Sequence, residues 1–238
     1  MKRIFLVTVL FTAAIAAKAQ HDIVVDPNAE VRTLNGTFNS IRVSGGIDLY
    51  LSQSADEAVA VSAGEERFRN NIKTTVENGT LKISYNGNRI LNTGNKNLKA
   101  YVSFKDIERI EASGATDIKV SGSIHTASLT LHVSGASEFK GTVRVNQLQL
   151  DLSGASDVTI DGTANTVSIE SSGASDVKGY GLVTDMCTAG ASGASDINIT
   201  VNKTLNANAS GASHIYFAGN GSVKEMHSSG ASSIAKKS

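Results

Sequence analysis

From Asp117 onward, apolar and polar residues alternate in short runs, and the runs return in phase. Leu148-Gln149-Leu150-Asp151-Leu152 and Val158-Thr159-Ile160 are two of them. A period of two marks a strand with one buried face, so each run predicts a strand. Between the runs stands a pentad. It begins at Ser113 (SGATD), Ser134 (SGASE), Ser153, Ser172 and Ser192 (SGASD), Ser210 (SGASH) and Ser229 (SGASS), at intervals of 21, 19, 19, 20, 18 and 19 residues. Two apolar columns keep that phase. Ile118, Phe139, Val158, Val177, Ile197, Ile215 and Ile234 follow the pentads, and Ile110, Leu131, Leu150, Ile169, Ala189, Ala207 and Met226 stand three residues before them.

A unit of about 19 residues with two or three short strands cannot bury its own apolar face. Stacked parallel on its neighbours, it shares a continuous core. The pattern therefore predicts an all-β chain folded as a parallel β-helix, or β-solenoid, with one coil per pentad and coils about 4.8 Å apart. Each pentad is then a corner joining two strands. Glycine there admits backbone angles closed to other residues, and serine bonds the turn's own backbone. The structural corner residues are Gly114, Gly135, Gly154, Gly173, Gly193, Gly211 and Gly230. Alanine at the third position is expected to stack on its own copies, so a large residue in place of Ala155 should strain the corner. Variation in coil length falls on turn-rich segments such as Asp161–Asn165 and Gly179-Tyr180-Gly181.

The N-terminal part departs from the rule. Phe38–Leu51 holds a degenerate pentad, Ser44-Gly45-Gly46-Ile47-Asp48, but Ser44 lies 69 residues before Ser113, which is not a multiple of 19. Residues 37–110 read as irregular coils at the start of the same solenoid, with a hairpin at Asn78-Gly79; a separate small β-domain is the alternative. Residues 111–234 carry the regular repeats. Residues 20–36 form an N-terminal extension, and residues 235–238 a charged tail that discourages pairing at the solenoid's end.

Composition narrows the setting. MKRIFLVTVLFTAAIAAKAQ has a basic start, an apolar stretch and small residues around Lys18, the plan of a signal peptide cleaved after Ala19. Its apolar run falls short of the roughly 20 residues of a spanning helix, and no transmembrane segment is expected after cleavage. The chain has 22 basic and 22 acidic residues; losing Lys2, Arg3 and Lys18 leaves a formal charge of −3. That balance argues against nucleic acid, which calls for a basic patch. Cys187 is the only cysteine, so no intrachain disulfide forms, and its phase points it inward.

The opening F-x-x-I-x-V-S-G-G-I-D-L-Y-L, Phe38 to Leu51, and the train of V/L-x-x-S-G-A-S-D units resemble the bacterial family described as putative auto-transporter adhesin, head GIN domain, common in Bacteroidetes. The resemblance spans about residues 37 to 220. It implies a β-helical fold, an envelope or extracellular setting and an adhesin-like role, and it brings no catalytic residues. With the export signal and repetition without a catalytic constellation, the expectation is a polar flank that binds a glycan or envelope protein. The few residues after the last pentad contain no membrane barrel of the auto-transporter kind. Release to the periplasm or export by other machinery is expected.

Candidate chemistry is sparse. Asp117, Glu138, Asp157, Asp176 and Asp196 occupy the fifth pentad position, where stacked carboxylates either splay into water or share cations. A calcium column is one reading. Asp as a turn-bonding residue needs less, since His214 and Ser233 continue the column. His132, flanked by Leu131 and Val133, is expected on the outer face. No G-x-S-x-G elbow, H-E-x-x-H or Walker loop occurs, and Tyr180, Tyr216 and Phe217 form no evident cluster. The expectation is a binding protein without catalytic residues or cofactors. The alternatives are a structural, self-associating envelope protein and, less favoured by the residues, a β-helical carbohydrate-active enzyme.

Overall fold

A computed structural model describes residues 26–87, 94 and 96–237. The expected signal peptide, residues 1–19, lies outside them. In chain order the elements are β1 (Glu30–Arg32), β2 (Ser40–Ser44), β3 (Asp48–Gln53), β4 (Ala58–Ser62), α1 (Glu66–Arg69), β5 (Ile72–Glu77), β6 (Thr80–Tyr85), β7 (Lys99–Phe104) and β8 (Arg109–Ser113). They continue as β9 (Asp117–Val133), β10 (Glu138–Leu152), β11 (Asp157–Ser171), β12 (Asp176–Ala191), β13 (Asp196–Ala209), β14 (His214–Ala218), β15 (Ser222–Ser228) and β16 (Ser233–Lys236).

From β9 to β13 every strand pairs parallel with the next, and like positions of successive repeats lie side by side: Phe139 against Val158, Val158 against Val177, Val177 against Ile197. The chain is a parallel β-helix. The two runs of each repeat are one continuous ladder of 14 to 17 residues, bent where the alternation slips, rather than two separate strands. In β10 the inward series Phe139, Gly141, Val143, Val145 gives way, across exposed Asn146 and Gln147, to Leu148, Leu150, Leu152. Inward residues stack on their copies to form a single core, in which Ile118, Phe139, Val158, Val177, Ile197 and Ile215 are at most 1% exposed.

Residues 37–110 belong to the same sheet as the regular repeats, and their coils do not follow chain order. β2 pairs parallel with both β6 and β8, and β3 with both β7 and β9. The coil formed by β2 and β3 is therefore sandwiched between the coil of β8 and β9 and an outer one made from β6 and β7. The chain starts inside the stack, climbs over it, and returns. That excursion is why Ser44 and Ser113 are out of phase although Ser44 pairs with Ser113 in register. Beyond the outer coil, β4 runs antiparallel to β7, β1 antiparallel to β4 and β5 antiparallel to β6, while Phe68 of α1 is buried in the core. These elements cap the N-terminal end. The β5–β6 hairpin turns at Asn78 (φ 51°) and Gly79 (φ 73°), where the sequence placed it. At the other end the tail begins later than expected, because Ala235 and Lys236 belong to β16, paired with β14.

Candidate functional site along the pentad ridge

The corner is built from backbone first. All seven corner glycines have positive φ, between 76° and 94°. A Cβ on Gly154 would lie 2.6 Å from the Gly135 carbonyl oxygen, because the Ala155 amide donates to that oxygen at 2.8 Å. Glycine is thus required by both the turn and the stacking. The fourth residue is the corner's internal tie. Ser156, Ser175, Ser195 and Ser213 are at most 1% exposed, and their hydroxyls donate to the carbonyls of Ser153, Ser172, Ser192 and Ser210 at 2.9, 3.0, 2.9 and 2.7 Å. They form a structural ladder. Ala155, by contrast, points into solvent. The expectation that a large residue there would strain the corner is overturned: glycine and the fourth serine hold it tight, and alanine only lines its outside.

On the flank entering the corner, the position two residues before each pentad carries Glu111, His132, Asp151, Glu170, Gly190, Asn208 and His227, in register from coil to coil. Arg42 Nε bonds Glu111 Oε2 at 2.6 Å, and this bond holds the Glu111 carboxyl below its usual range. Arg109 Nη1 lies 2.6 Å from His132 Nε2. Arginine has only donors, so Nε2 accepts and the proton sits on Nδ1, which donates to Asp151 Oδ2 at 2.8 Å. His132 faces outward as expected, but as part of this chain of charges. The Glu170 carboxylate occupies the space that a side chain on Gly190 would fill. Between column and ridge runs an open groove of about 400 Å³, lined by His132, Asp151, Glu170 and the first serines of four pentads, Ser134, Ser153, Ser172 and Ser192.

On the flank leaving the corner stand Asp117, Glu138, Asp157, Asp176 and Asp196, one per coil. Lys119, Lys140 and Lys178 lie two residues further on, on the same face; Lys178 Nζ is 3.7 Å from Asp157 Oδ1, and His214 Nδ1 is 2.9 Å from Asp196 Oδ1. Burial, then the neighbouring Asp117 charge, pushes the Asp48 carboxyl up at the head of this column. Calcium takes about six to eight oxygens. One carboxylate per coil offers fewer, and among the described residues no group of three His, Cys, Asp or Glu is placed to hold a metal.

Tyr180 and Tyr216, which the sequence left apart, meet near the C-terminal end of this flank. The Lys237 ammonium stands 5.6 and 6.0 Å from their ring centroids, and His214 stacks on Tyr216 at 5.9 Å; Phe217 is buried. The signal for this meeting is the register that sets Tyr216 beside Asn198, one coil from the Gly179-Tyr180-Gly181 bulge. Ser123 Oγ and His125 Nε2 are 2.7 Å apart on an exposed bulge, with no carboxylate among the described residues to orient the ring. Burial pushes the Cys187 thiol up to about 12, which leaves it an inert core residue.

Comparisons with known proteins agree with this architecture. The family described as "Putative auto-transporter adhesin, head GIN domain" matches residues 37–221. A putative adhesin from Bacteroides fragilis NCTC 9343 superimposes with a TM-score of 0.81 at 19% identity, over 88% of this chain and 96% of that one. A putative adhesin from Parabacteroides distasonis ATCC 8503 gives 0.70 at 18% identity, covering 88% and 96%. A putative lipid binding protein from the same strain gives 0.65 at 19% identity, covering 89% and 97%. No curated protein matches.

Proposed function

Because the chain belongs to the putative auto-transporter adhesin, head GIN domain family, we propose that it works as an exported, adhesin-like surface protein whose pentad groove binds glycan. The observation that carries this reading is the groove itself. It repeats a serine hydroxyl at four successive coils and sets Asp151, Glu170 and His132 beside them, a row of polar groups suited to the hydroxyls of an extended sugar chain. Of these serines, Ser134 and Ser172 donate to the Ala112 and Leu152 carbonyls and so offer acceptors. Each such hydrogen bond contributes only about 0.5–1.5 kcal/mol net, so useful affinity needs several coils engaged at once. A lipid chain would want an enclosed apolar cavity, whereas this groove lies open and sets Val133 and Leu152 among serines, a histidine and carboxylates. Among the described residues no helix is long and apolar enough to cross a membrane.

The test is binding of the purified protein to an array of bacterial, plant and host glycans, with calcium and with chelator. Saturable, selective binding that E170Q weakens about tenfold, the loss of one charge-assisted hydrogen bond, with unchanged melting temperature, supports the reading. A blank array from folded protein overturns it. Binding that chelator abolishes transfers the site to the carboxylate column of Asp117 to Asp196.

A further inference from the structure

The solenoid's two ends differ. The N-terminal end is covered by β1, β4, β5 and α1, whereas among the described residues β15 pairs only with β13, and β16 only with β14. The outer edges of β15 and β16 therefore carry unpaired backbone donors and acceptors. Core columns open there too. Met226 continues the column of Leu150, Ile169 and Ala189, each at most 1% exposed, yet is itself 55% exposed; Val223 and Ile234 are only partly buried. An edge of this kind is a template for another strand.

We propose that this end is a dimer interface, in which β15 pairs antiparallel with β15 of a second copy across a two-fold axis. Head-to-tail stacking would have to set a parallel coil against the antiparallel cap, which presents neither a pentad corner nor the open columns. Pairing the open end with itself is isologous and closes at two copies instead of growing into a fibre.

The charges of β15 specify the register. A two-fold axis between Lys224 and Glu225 sets each Lys224 opposite Glu225 of the second copy, giving two ion pairs. The same axis sets Val223 opposite Met226 of the second copy. The register of β15 on β13 places Val223 beside Leu205, skips Lys224, and then places Glu225 beside Asn206 and Met226 beside Ala207. Because of that bulge, Val223 and Met226 both lie on the core side although three residues apart, so the dimer joins the two cores while the charges stay outside. β16 is the poorer edge for addition, because Lys236 guards it and Lys237 is held over the Tyr180 and Tyr216 rings. This interface does not depend on what the groove binds. It would point two grooves away from each other and add avidity on a repetitive surface.

Sedimentation analysis of the wild-type protein over a wide concentration range is the experiment, with K224E, E225K and their equimolar mixture run beside it. Like charges directly opposite one another destabilise a strand pair. The expected result is a wild-type dimer, a dimer dissociation constant at least about tenfold weaker for each variant alone, and a mixed dimer when K224E meets E225K. Circular dichroism and a cooperative melting transition establish that both variants fold. A monomeric wild type, or variants that dimerise as well alone as mixed, overturns the proposal.

Discussion

Each coil turns at the pentad and again at the bend between its two inward series, and the two turns are solved differently. At the pentad, backbone lies against backbone: the Ala174 amide donates to the Gly154 carbonyl at 2.8 Å, and the coils from Ala136 to Ala231 repeat the contact. At the other bend side chains span the gap. Asn165 Nδ2 lies 3.4 Å from Asn146 Oδ1, Thr184 Oγ1 bonds the carbonyls of Asn165 and Met186, and Lys203 pairs with Asp185 at 2.8 Å. All the register shifts of β9 to β13 fall between one pentad and the next, and none within it. Three of these shifts lie in the run that leaves the pentad, at Lys140/Thr142, Thr159/Gly162 and Gly179/Val183, and one lies at the bend, at Thr184/Met186. Repetition of sequence marks the place where the stack has no slack.

Three substitutions test that contrast, from the largest effect to the smallest. G154A forces a side chain into a positive-φ position and onto the Gly135 carbonyl. It should cost about 3 kcal/mol in denaturant unfolding, the sum of left-handed strain and overpacking. A cost near zero would mean that the corner relaxes as easily as the opposite bend. S175A removes a buried hydroxyl that donates to the Ser172 carbonyl and faces the Ser156 amide at 3.3 Å. About 1–2 kcal/mol should be lost, whereas A155L, on the exposed outside of the same corner, should stay within about 0.5 kcal/mol. Equal losses for the two would put the tightness in the wrong residue.

The smallest effect concerns Asp48, the fifth residue of the degenerate first pentad. Burial and Asp117 raise its carboxyl above the unfolded value, so the folded state binds its proton more readily. Stability from this group is present at low pH and falls as pH rises through the carboxylate range. D48N should therefore melt slightly higher than wild type at neutral pH, with the gain vanishing in acid. Melting curves of both proteins across pH check the sign, and a gain that grows in acid would contradict it.

Much of this was legible beforehand because a solenoid writes its period into the chain. The pentad spacing gave the coil, the two apolar columns gave the core, and Asn78-Gly79 gave the hairpin. What escaped was whatever depends on partners far apart in sequence. Nothing local announces that β2 slips between β6 and β8, since those parallel pairings join residues 40 and 69 positions apart. Nor does the string show that Ala155 faces water while Ser156 is buried, because both are small and adjacent. Glu170 over Gly190, and Tyr180 beside Tyr216, follow from coil registers that bulges shift by one to three residues.

The residues alone determined the unit: a coil of about 19 residues with a glycine corner, since strand alternation and left-handed backbone are properties of a residue and its immediate neighbours. Only the tertiary structure decided the order of the first coils, the cap at one end and the bare edge at the other, and which outward side chains share a groove. Those depend on which coil lies against which, a choice fixed by stacking energy summed over the whole core.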